Sequence, residues 1–214
     1  MTTWKKSFSV GKSPCNRPGI AAVAVIGVLG WNMTARAGYE SAEYKVIETD
    51  GKFEIREYPD LMLASTTTQI DAQGRDGSFM KLFRYISGAN HAEQKISMTT
   101  PVFMEKDETE AQMGFVMPKE VAVAGTPQPT GEGVAIRKRA GGRFAVIRFS
   151  GRLSEKLAKE NETKLRDWMK TKNLTAAQTN SGDPESTNVE SASYDPPFTP
   201  GPLRRNEVLI RLAQ

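Results

Sequence analysis

The feature that most constrains the fold is a hairpin followed by a helix that occurs twice, about 80 residues apart. Ile55-Arg56 and Leu63-Ala64 in the first copy correspond to Ile136-Arg137 and Phe144-Ala145 in the second. In each copy apolar and polar residues alternate as in strands, and apolar residues at helical spacing follow. Neither copy has enough strands to close a core alone. We therefore predict one α+β domain, built from two pseudo-symmetric ββαββ-like halves.

The alternation and the turn residues assign elements to both halves. In the first half we predict strands at residues 44–48, 53–58, 61–68, 102–104 and 113–117, and a helix from Asp76 to about Ser87. In the second half we predict strands at residues 134–138, 144–149 and 207–212, and a helix that Ser154 caps and that runs to about Lys172. Residues 175–193 are polar and rich in Ser, Thr and Asn, which predicts a mobile surface excursion.

Residues 1–37 have the pattern of a secretory signal peptide. They contain basic residues and no acid, then an apolar run at residues 20–31, then Ala35-Arg36-Ala37 before Gly38. The apolar run is shorter than the roughly 20 residues that span a bilayer. We predict cleavage, a single domain at residues 38–214, and a periplasmic or secreted location. An uncleaved N-terminal anchor is the alternative.

The charge distribution and the single cysteine exclude several classes of function. The net charge of +4 comes from residues 1–37, because the remainder contains 24 basic and 25 acidic residues. Nothing therefore indicates a nucleic-acid partner. Cys15 is the only cysteine and lies in the predicted leader, so the predicted domain has no disulfide, thiolate metal site or cysteine nucleophile.

Methionine and phenylalanine residues indicate an apolar binding surface on the first predicted helix. Phe79 and Phe83 lie one turn apart, while Leu82 and Ile86 point elsewhere and can pack in the core. Methionine adapts its shape and phenylalanine offers a ring face, so both suit a large, flat, apolar ligand. Lys81 and Arg84 are close enough in sequence to meet carboxylates on the rim of such a ligand. Burial in the core is the alternative role for these side chains.

Five segments, in the same order along the chain, resemble the signatures of the SOUL (haem-binding protein) family. They are residues 53–58, 82–90, 96–102, 194–198 and 204–208. Each is weak alone, and together they are specific because the match extends from about Tyr39 to Leu212. The resemblance implies a distorted antiparallel β-barrel with two flanking helices.

The resemblance also implies a haem or porphyrin ligand in an apolar cleft beside the first helix. The positions that match this cleft include Asp76, Phe79 and Phe83, with Leu82 and Ile86 nearer the barrel. With the apolar and charged residues around them, the predicted binding residues are Asp76, Phe79, Met80, Phe83, Arg84 and Met98. We predict no catalytic residue and no protein metal site.

His91 is the only histidine, so a site built on two histidines is excluded. It follows the first predicted helix, where a solvated loop residue is the usual role. The alternative role is an axial ligand of haem iron. The resemblance does not assign that role to His91.

The predicted function is an exported protein that sequesters or carries haem or another tetrapyrrole. One alternative is an enzyme that removes the metal from tetrapyrroles, with Asp76 as an acid. Others are a regulatory effector-binding domain and a carrier of a lipid or another apolar ligand. The predicted partner is the small molecule, with no nucleic acid, and with a membrane only through an uncleaved leader.

Overall fold

The computed structural model describes Met1 and residues 38–68, 77–106, 110–178 and 189–213. The predicted leader and Asp76 lie outside the described residues, apart from Met1. The helices are α1 (Ser78–Ile86), α2 (Lys119–Ala124) and α3 (Glu155–Thr171). The strands are β1 (Glu40–Ser41), β2 (Lys45–Asp50), β3 (Phe53–Tyr58), β4 (Leu61–Thr67), β5 (Thr99–Thr100), β6 (Val102–Lys106), β7 (Ala111–Val116), β8 (Ala135–Arg139), β9 (Gly142–Phe149), β10 (Val189–Ser193) and β11 (Asn206–Arg211).

Nine strands form one antiparallel sheet that curls into a half-barrel. Its order is β2-β3-β9-β11-β10-β6-β7-β4-β8, and β1 and β5 form a separate parallel pair. The two ends of the sheet are β2 and β8, so the barrel is open between them in this strand order. The α+β class and the distorted antiparallel barrel expected from the sequence are confirmed.

The strand order contains the repeat seen in the sequence. If β3, β4, β6 and β7 are exchanged with β8, β9, β10 and β11, the order of these eight strands reads the same from the other end, and the edge strand β2 has no counterpart. The registers agree as well, because Ile55 pairs with Ala145 and Ile136 pairs with Ala64. The strand β3 of the first half therefore pairs with β9 of the second half, and β8 of the second half pairs with β4 of the first. This pairing makes the two halves one sheet.

Apolar side chains form three clusters, one inside the half-barrel and two outside it. The inner cluster includes Leu63, Phe103 and Phe144. One outer cluster lies under α3 and includes Ile147 and Trp168. The other lies under α1. The repeat thus places one helix over the outer face of each half.

The prediction of a surface excursion at residues 175–193 is wrong at both of its ends. Ala176 forms a bridge with Leu212, and β10 pairs with both β6 and β11 in the middle of the sheet. The strand was missed because its small polar residues have low strand propensity. It is held instead by neighbours on both sides and by Ala192, which is fully buried in the inner cluster. Residues 179–188 lie outside the described residues.

The helix boundaries follow local signals where these exist. The Ser154 side chain accepts a hydrogen bond from the Leu157 backbone N–H, as expected of an N-cap. The α1 helix begins at Ser78, two residues later than predicted, with Gly77 at its N-cap and no side-chain cap. The short α2 helix was not predicted, because one and a half turns leave little periodic pattern in a sequence.

The inner cluster surrounds a buried carboxylate, that of Glu207. It accepts hydrogen bonds from Arg56 at 2.7 and 2.9 Å and from Arg205 at 2.7 and 3.0 Å. The Tyr194 hydroxyl donates a fifth bond at 2.8 Å. Burial by itself would raise the pKa of Glu207, but the two guanidinium groups outweigh it and lower the pKa from 4.5 to about 2.

We predict that Glu207 makes the domain sensitive to acid. Because its pKa is lowered in the folded state, its contribution is complete above pH 4.5 and is lost as the pH falls towards 2. A shift of this size corresponds to about 3 kcal/mol of unfolding free energy. Glu207→Gln should therefore lower that free energy by about 3–5 kcal/mol at pH 7 and flatten its fall below pH 4.5. Urea unfolding followed by circular dichroism at pH 7 and pH 3 measures both effects.

The matched control is Glu48→Gln. Glu48 is exposed and forms an ion pair with Lys172 at the surface. Its loss should change the unfolding free energy by less than about 1 kcal/mol and leave the acid dependence as it was. A Glu207→Gln protein with unchanged acid dependence would contradict the assignment.

Candidate functional site

The α1 helix is fixed to the sheet by one face. Its buried residues are Ser78, Leu82, Tyr85 and Ile86. The Ser78 hydroxyl donates to the Thr67 carbonyl at 3.2 Å, and the Tyr85 hydroxyl donates to the Pro127 carbonyl at 2.7 Å. These contacts determine which of the remaining side chains of α1 face outward.

Phe79, Met80 and Phe83 form an apolar surface along α1, called here the α1 strip. Phe79 is half-buried, whereas Met80 and Phe83 are 49% and 44% exposed. The rings of Phe79 and Phe83 lie 6.2 Å apart with planes 11° from parallel. Phe79 also meets the ring of Phe115 edge-on at 5.3 Å. Phe79 therefore packs on the outer cluster under α1, whereas Met80 and Phe83 are exposed to water.

The strands beside the strip carry more apolar side chains on the same outer face. Phe103 lies in the inner cluster, so alternation directs its neighbours Val102 and Met104 outward. Val102 pairs with Phe115, and Met104 pairs with Met113. Val102 and Met113 are half-buried and pack against the α1 cluster, as does Met98. Together they extend the apolar surface from α1 across β7 and β6.

The opposite flank of α1 faces the loop that precedes β8. A Cβ atom placed on Gly133 would lie 3.8 Å from the Lys81 ammonium nitrogen. The His91 backbone N–H donates to the Gln128 carbonyl in the same loop, and the His91 side chain is exposed. Because β8 and β6 lie on different sides of β4 and β7, Lys81 and His91 are separated from the α1 strip by the helix.

The structure places the six predicted binding residues unequally. Phe79, Met80 and Phe83 form the strip, and Met98 packs against the same cluster. Arg84 is exposed in the last turn of α1. Asp76 lies outside the described residues.

Sequence reasoning did not assign Val102 and Met113 to the site. The available signal was strand alternation: Val102 and Met104 are two residues apart, as are Met113 and Phe115. What the sequence did not contain was the pairing of β6 with β7, which places all four side chains beside each other. A register of this kind depends on contacts between distant segments.

Three described cavities lie elsewhere, and none is lined by a residue of the α1 strip. One of about 440 Å³ lies at a charged mouth of the half-barrel and is lined by Arg137, Arg139 and Glu190 among others. A second of about 220 Å³ adjoins α2, and a third of about 510 Å³ adjoins the end of β9. The strip is an open apolar surface that lies outside these three cavities.

The described residues contain neither a candidate metal-ligand cluster nor a helix that could cross a membrane. These residues contain no group of three or more His, Cys, Asp or Glu side chains arranged to hold a metal ion. None of the helices within the described part of the chain is both long and apolar enough to cross a membrane.

Comparison with protein families gave one match over most of the chain. The family described as SOUL heme-binding protein matches residues 39–211. A comparison with curated protein sequences found no match.

Comparison with solved structures shows the fold in distant proteins. The C-terminal domain of EcmrR has a TM-score of 0.53 and 9% identity, over 76% of this chain and 97% of that domain. A hydrolase from Listeria innocua has a TM-score of 0.53 and 12% identity, over 78% of this chain and 94% of the hydrolase. At such identities the likeness concerns the fold alone.

We predict that two adjacent residues of α1 differ in their effect on stability. Leu82 is fully buried, so Leu82→Ala should lower the unfolding free energy by about 2–5 kcal/mol. Phe83 is 44% exposed, so Phe83→Ala should cost only about 1 kcal/mol. Urea unfolding of both variants checks this difference. Equal losses would show that Phe83 belongs to the core and that the strip is not a free surface.

Proposed function

The chain belongs to the SOUL heme-binding protein family, and from that premise we propose that it binds haem or a related tetrapyrrole on the α1 strip. The observation that carries the proposal is the near-parallel pair of the half-buried Phe79 and the exposed Phe83, which lies beside a half-buried apolar floor. A tetrapyrrole is large, flat and mostly apolar. The surface that would receive it combines aromatic rings with methionine side chains, which adapt to its outline.

Apolar burial supports binding without coordination of the iron. The exposed parts of Met80 and Phe83, and the half-exposed Val102 and Met113, would leave water beneath the macrocycle. Full burial of such a side chain stabilises by about 1.5–3 kcal/mol, and partial burial by proportionately less. These side chains together supply a few kcal/mol, whereas micromolar affinity corresponds to about 8 kcal/mol, so burial of the macrocycle's own apolar face must supply the rest.

Of the described charged residues near the strip, only Arg84 is placed to meet the proposed ligand. Arg84 is exposed and has no ion-pair partner among the described residues, so it is available to a propionate of the ligand. Lys81 lies on the far flank of the helix, and so does His91. In the proposed complex neither of these two residues touches the macrocycle, and His91 does not ligate the iron.

Binding rather than catalysis is the function proposed. The described residues of the strip and its floor are apolar, which supports a surface that holds a macrocycle but offers no proton donor to it. Removal of the metal needs acid groups that protonate the pyrrole nitrogens. We accordingly propose a carrier or buffer of the tetrapyrrole.

We predict that Phe83→Ala weakens the binding of haemin and of protoporphyrin IX about tenfold each. The reason is the loss of one aromatic contact, worth about 1.4 kcal/mol. Titration of each ligand, followed by absorbance and tryptophan quenching, measures the two dissociation constants. Protoporphyrin IX contains no iron, so similar affinities for both ligands would show that ligation contributes little.

Two controls separate the strip from the rest of the surface. Phe198→Ala removes a phenylalanine that is 84% exposed in the loop between β10 and β11, and His91→Ala removes the only histidine. Both variants should keep the affinity of the unchanged protein. Loss of haemin binding in His91→Ala, with protoporphyrin IX binding retained, would instead assign the iron to His91. If the folded protein binds neither ligand, the proposed tetrapyrrole site is wrong.

We also propose that residues 1–37 direct export and are removed. The basic start, the short apolar run and Ala35-Arg36-Ala37 support this proposal. We predict that the mature protein begins at Gly38 when the full chain is expressed in a secreting bacterial host. N-terminal sequencing and intact mass of the periplasmic fraction check the cleavage site. A chain that stays full-length in the membrane fraction would indicate an anchor instead.

A further inference from the structure

Residues 195–204, called here the proline loop, connect β10 to β11 and hold two apolar side chains in water. Phe198 is 84% exposed and Leu203 is 63% exposed, both more than Phe83 of the α1 strip. Single exposed apolar residues are ordinary on protein surfaces. Two of them on one short loop form a protruding apolar tip, which needs an explanation beyond chain reversal.

The tip is rigid. The Thr199 N–H donates to the Pro196 carbonyl at 3.0 Å, and the Leu203 N–H donates to the Pro200 carbonyl at 2.9 Å. The Arg204 Nε donates to the Thr199 carbonyl at 2.7 Å and so closes the loop across its width. A second donor of Arg204, Nη2, bonds to the Pro197 carbonyl. The loop therefore has its shape before it meets any partner and loses little conformational entropy on binding.

The backbone of the proline loop can leave water at low cost. Four of its residues, at positions 196, 197, 200 and 202, are prolines and have no N–H group. The N–H groups of Thr199, Leu203 and Arg204 already donate within the loop. Unsatisfied backbone donors are the main obstacle to placing a non-helical segment in an apolar medium. In this loop most of that obstacle is removed.

Basic side chains surround the base of the tip, namely Lys52, Arg148, Arg152 and Arg204. Lys52, Arg148 and Arg204 line the cavity of about 510 Å³ beside the loop, which has no acid in its lining. Arg152 is exposed and lies against Gly201. Asp195, the one acid of the loop, accepts a hydrogen bond from the Arg205 N–H at 2.6 Å. Arg148 forms an ion pair with Glu54 at 3.0 Å. The net positive charge around the tip therefore comes from Lys52, Arg152 and Arg204, and it attracts an anionic partner.

We propose that the proline loop docks the protein on a membrane surface that contains anionic lipids. Phe198 and Leu203 enter the boundary between headgroups and acyl chains, and the surrounding cations meet the phosphates. Two apolar side chains on one tip present far less than the roughly 800 Å² per partner that a stable protein interface buries. A fluid lipid surface needs no matching shape. Each Lys or Arg near an anionic membrane surface increases the membrane partition coefficient of the protein about fivefold.

The proposal adds a membrane contact that the sequence analysis expected only from an uncleaved leader, and it is independent of the proposed ligand. Co-sedimentation of the full chain with vesicles measures it. One set contains equal parts of phosphatidylglycerol and phosphatidylcholine, and the other contains phosphatidylcholine alone. We expect binding to the anionic vesicles that falls about tenfold in the double variant Phe198→Ser/Leu203→Ser. We expect a fall of about fivefold in Lys52→Gln.

A local probe separates the loop from residues 1–37, whose apolar run can itself meet lipid. In a Cys15→Ser background, which removes the only cysteine, a nitroxide label is placed at Phe198→Cys. The matched site is Val123→Cys, because Val123 is an equally exposed apolar residue, at 82%, on α2. With anionic vesicles we expect the label at position 198 to become accessible to oxygen and shielded from an aqueous nickel complex. The label at position 123 should stay in water.

Two results would overturn the proposal. One is a label at position 198 that remains as water-accessible as that at position 123 while the chain is bound to vesicles. The other is unchanged vesicle binding when the double substitution is made in the mature protein that begins at Gly38, from which the apolar run of residues 1–37 is absent. The haemin titration acts as a cross-check, since Phe198→Ser/Leu203→Ser should keep haemin affinity and Phe83→Ala should keep vesicle binding. The haemin titration and the vesicle experiment therefore test the α1 strip and the proline loop separately.

Discussion

The structure depends on strand pairing between the two halves, in which β3 and β8 each add to the sheet of the opposite half. Because β3 pairs with β9 and β8 pairs with β4, one strand of each half has its hydrogen-bonding partner in the other half. Neither half can therefore complete its part of the sheet alone. The equivalent registers of Ile55 with Ala145 and of Ile136 with Ala64 show that both pairings obey the same geometry. One continuous sheet, one inner cluster and two outer faces follow from this pairing. A helix over each outer face then completes the burial that neither half achieves alone.

The two halves have diverged inside the barrel more than in their backbone. Strand registers make Arg56 equivalent to Arg137, and Glu207 equivalent to Gln112. In one half the arginine therefore meets a fully buried carboxylate, and in the other it pairs with the partly exposed Glu105. Removing either partner of a buried charge pair is strongly destabilising. Substitutions at Arg56 or Glu207 should therefore be tolerated less well than substitutions at Arg137 or Glu105. The end beside Arg137 is a charged cavity with room for water.

The sequence predicted those parts of the fold that local patterns determine. Alternation located most of the strands, and Ser154 located the start of α3 through a cap that the structure contains. The strand β10 was beyond such reasoning, because Ser191 and Ala192 acquire their strand conformation from β6 and β11. The same limit applied at the site. Helical spacing placed Phe79 and Phe83 on one flank, but only the pairing of β6 with β7 brings Met113 and Val102 beside them.

Among the described residues, the two helices differ in how much of the outer face of the sheet they cover. The α3 helix has 17 residues, and Trp168 on it stacks on Phe53 at 5.1 Å. Beneath α3 the side chain of Val208 is fully buried, whereas its equivalent Met113 beside α1 is half-buried.

In the described part of the chain, α1 has nine residues and covers less of its floor than α3 covers on the other half. A flat apolar ligand on the α1 strip would cover the area that the additional turns of α3 cover in the other half. Both outer faces of the sheet need an apolar cover, and among the described residues only one of them has a helix as long as α3, which is why the proposed ligand site lies on the half that carries α1.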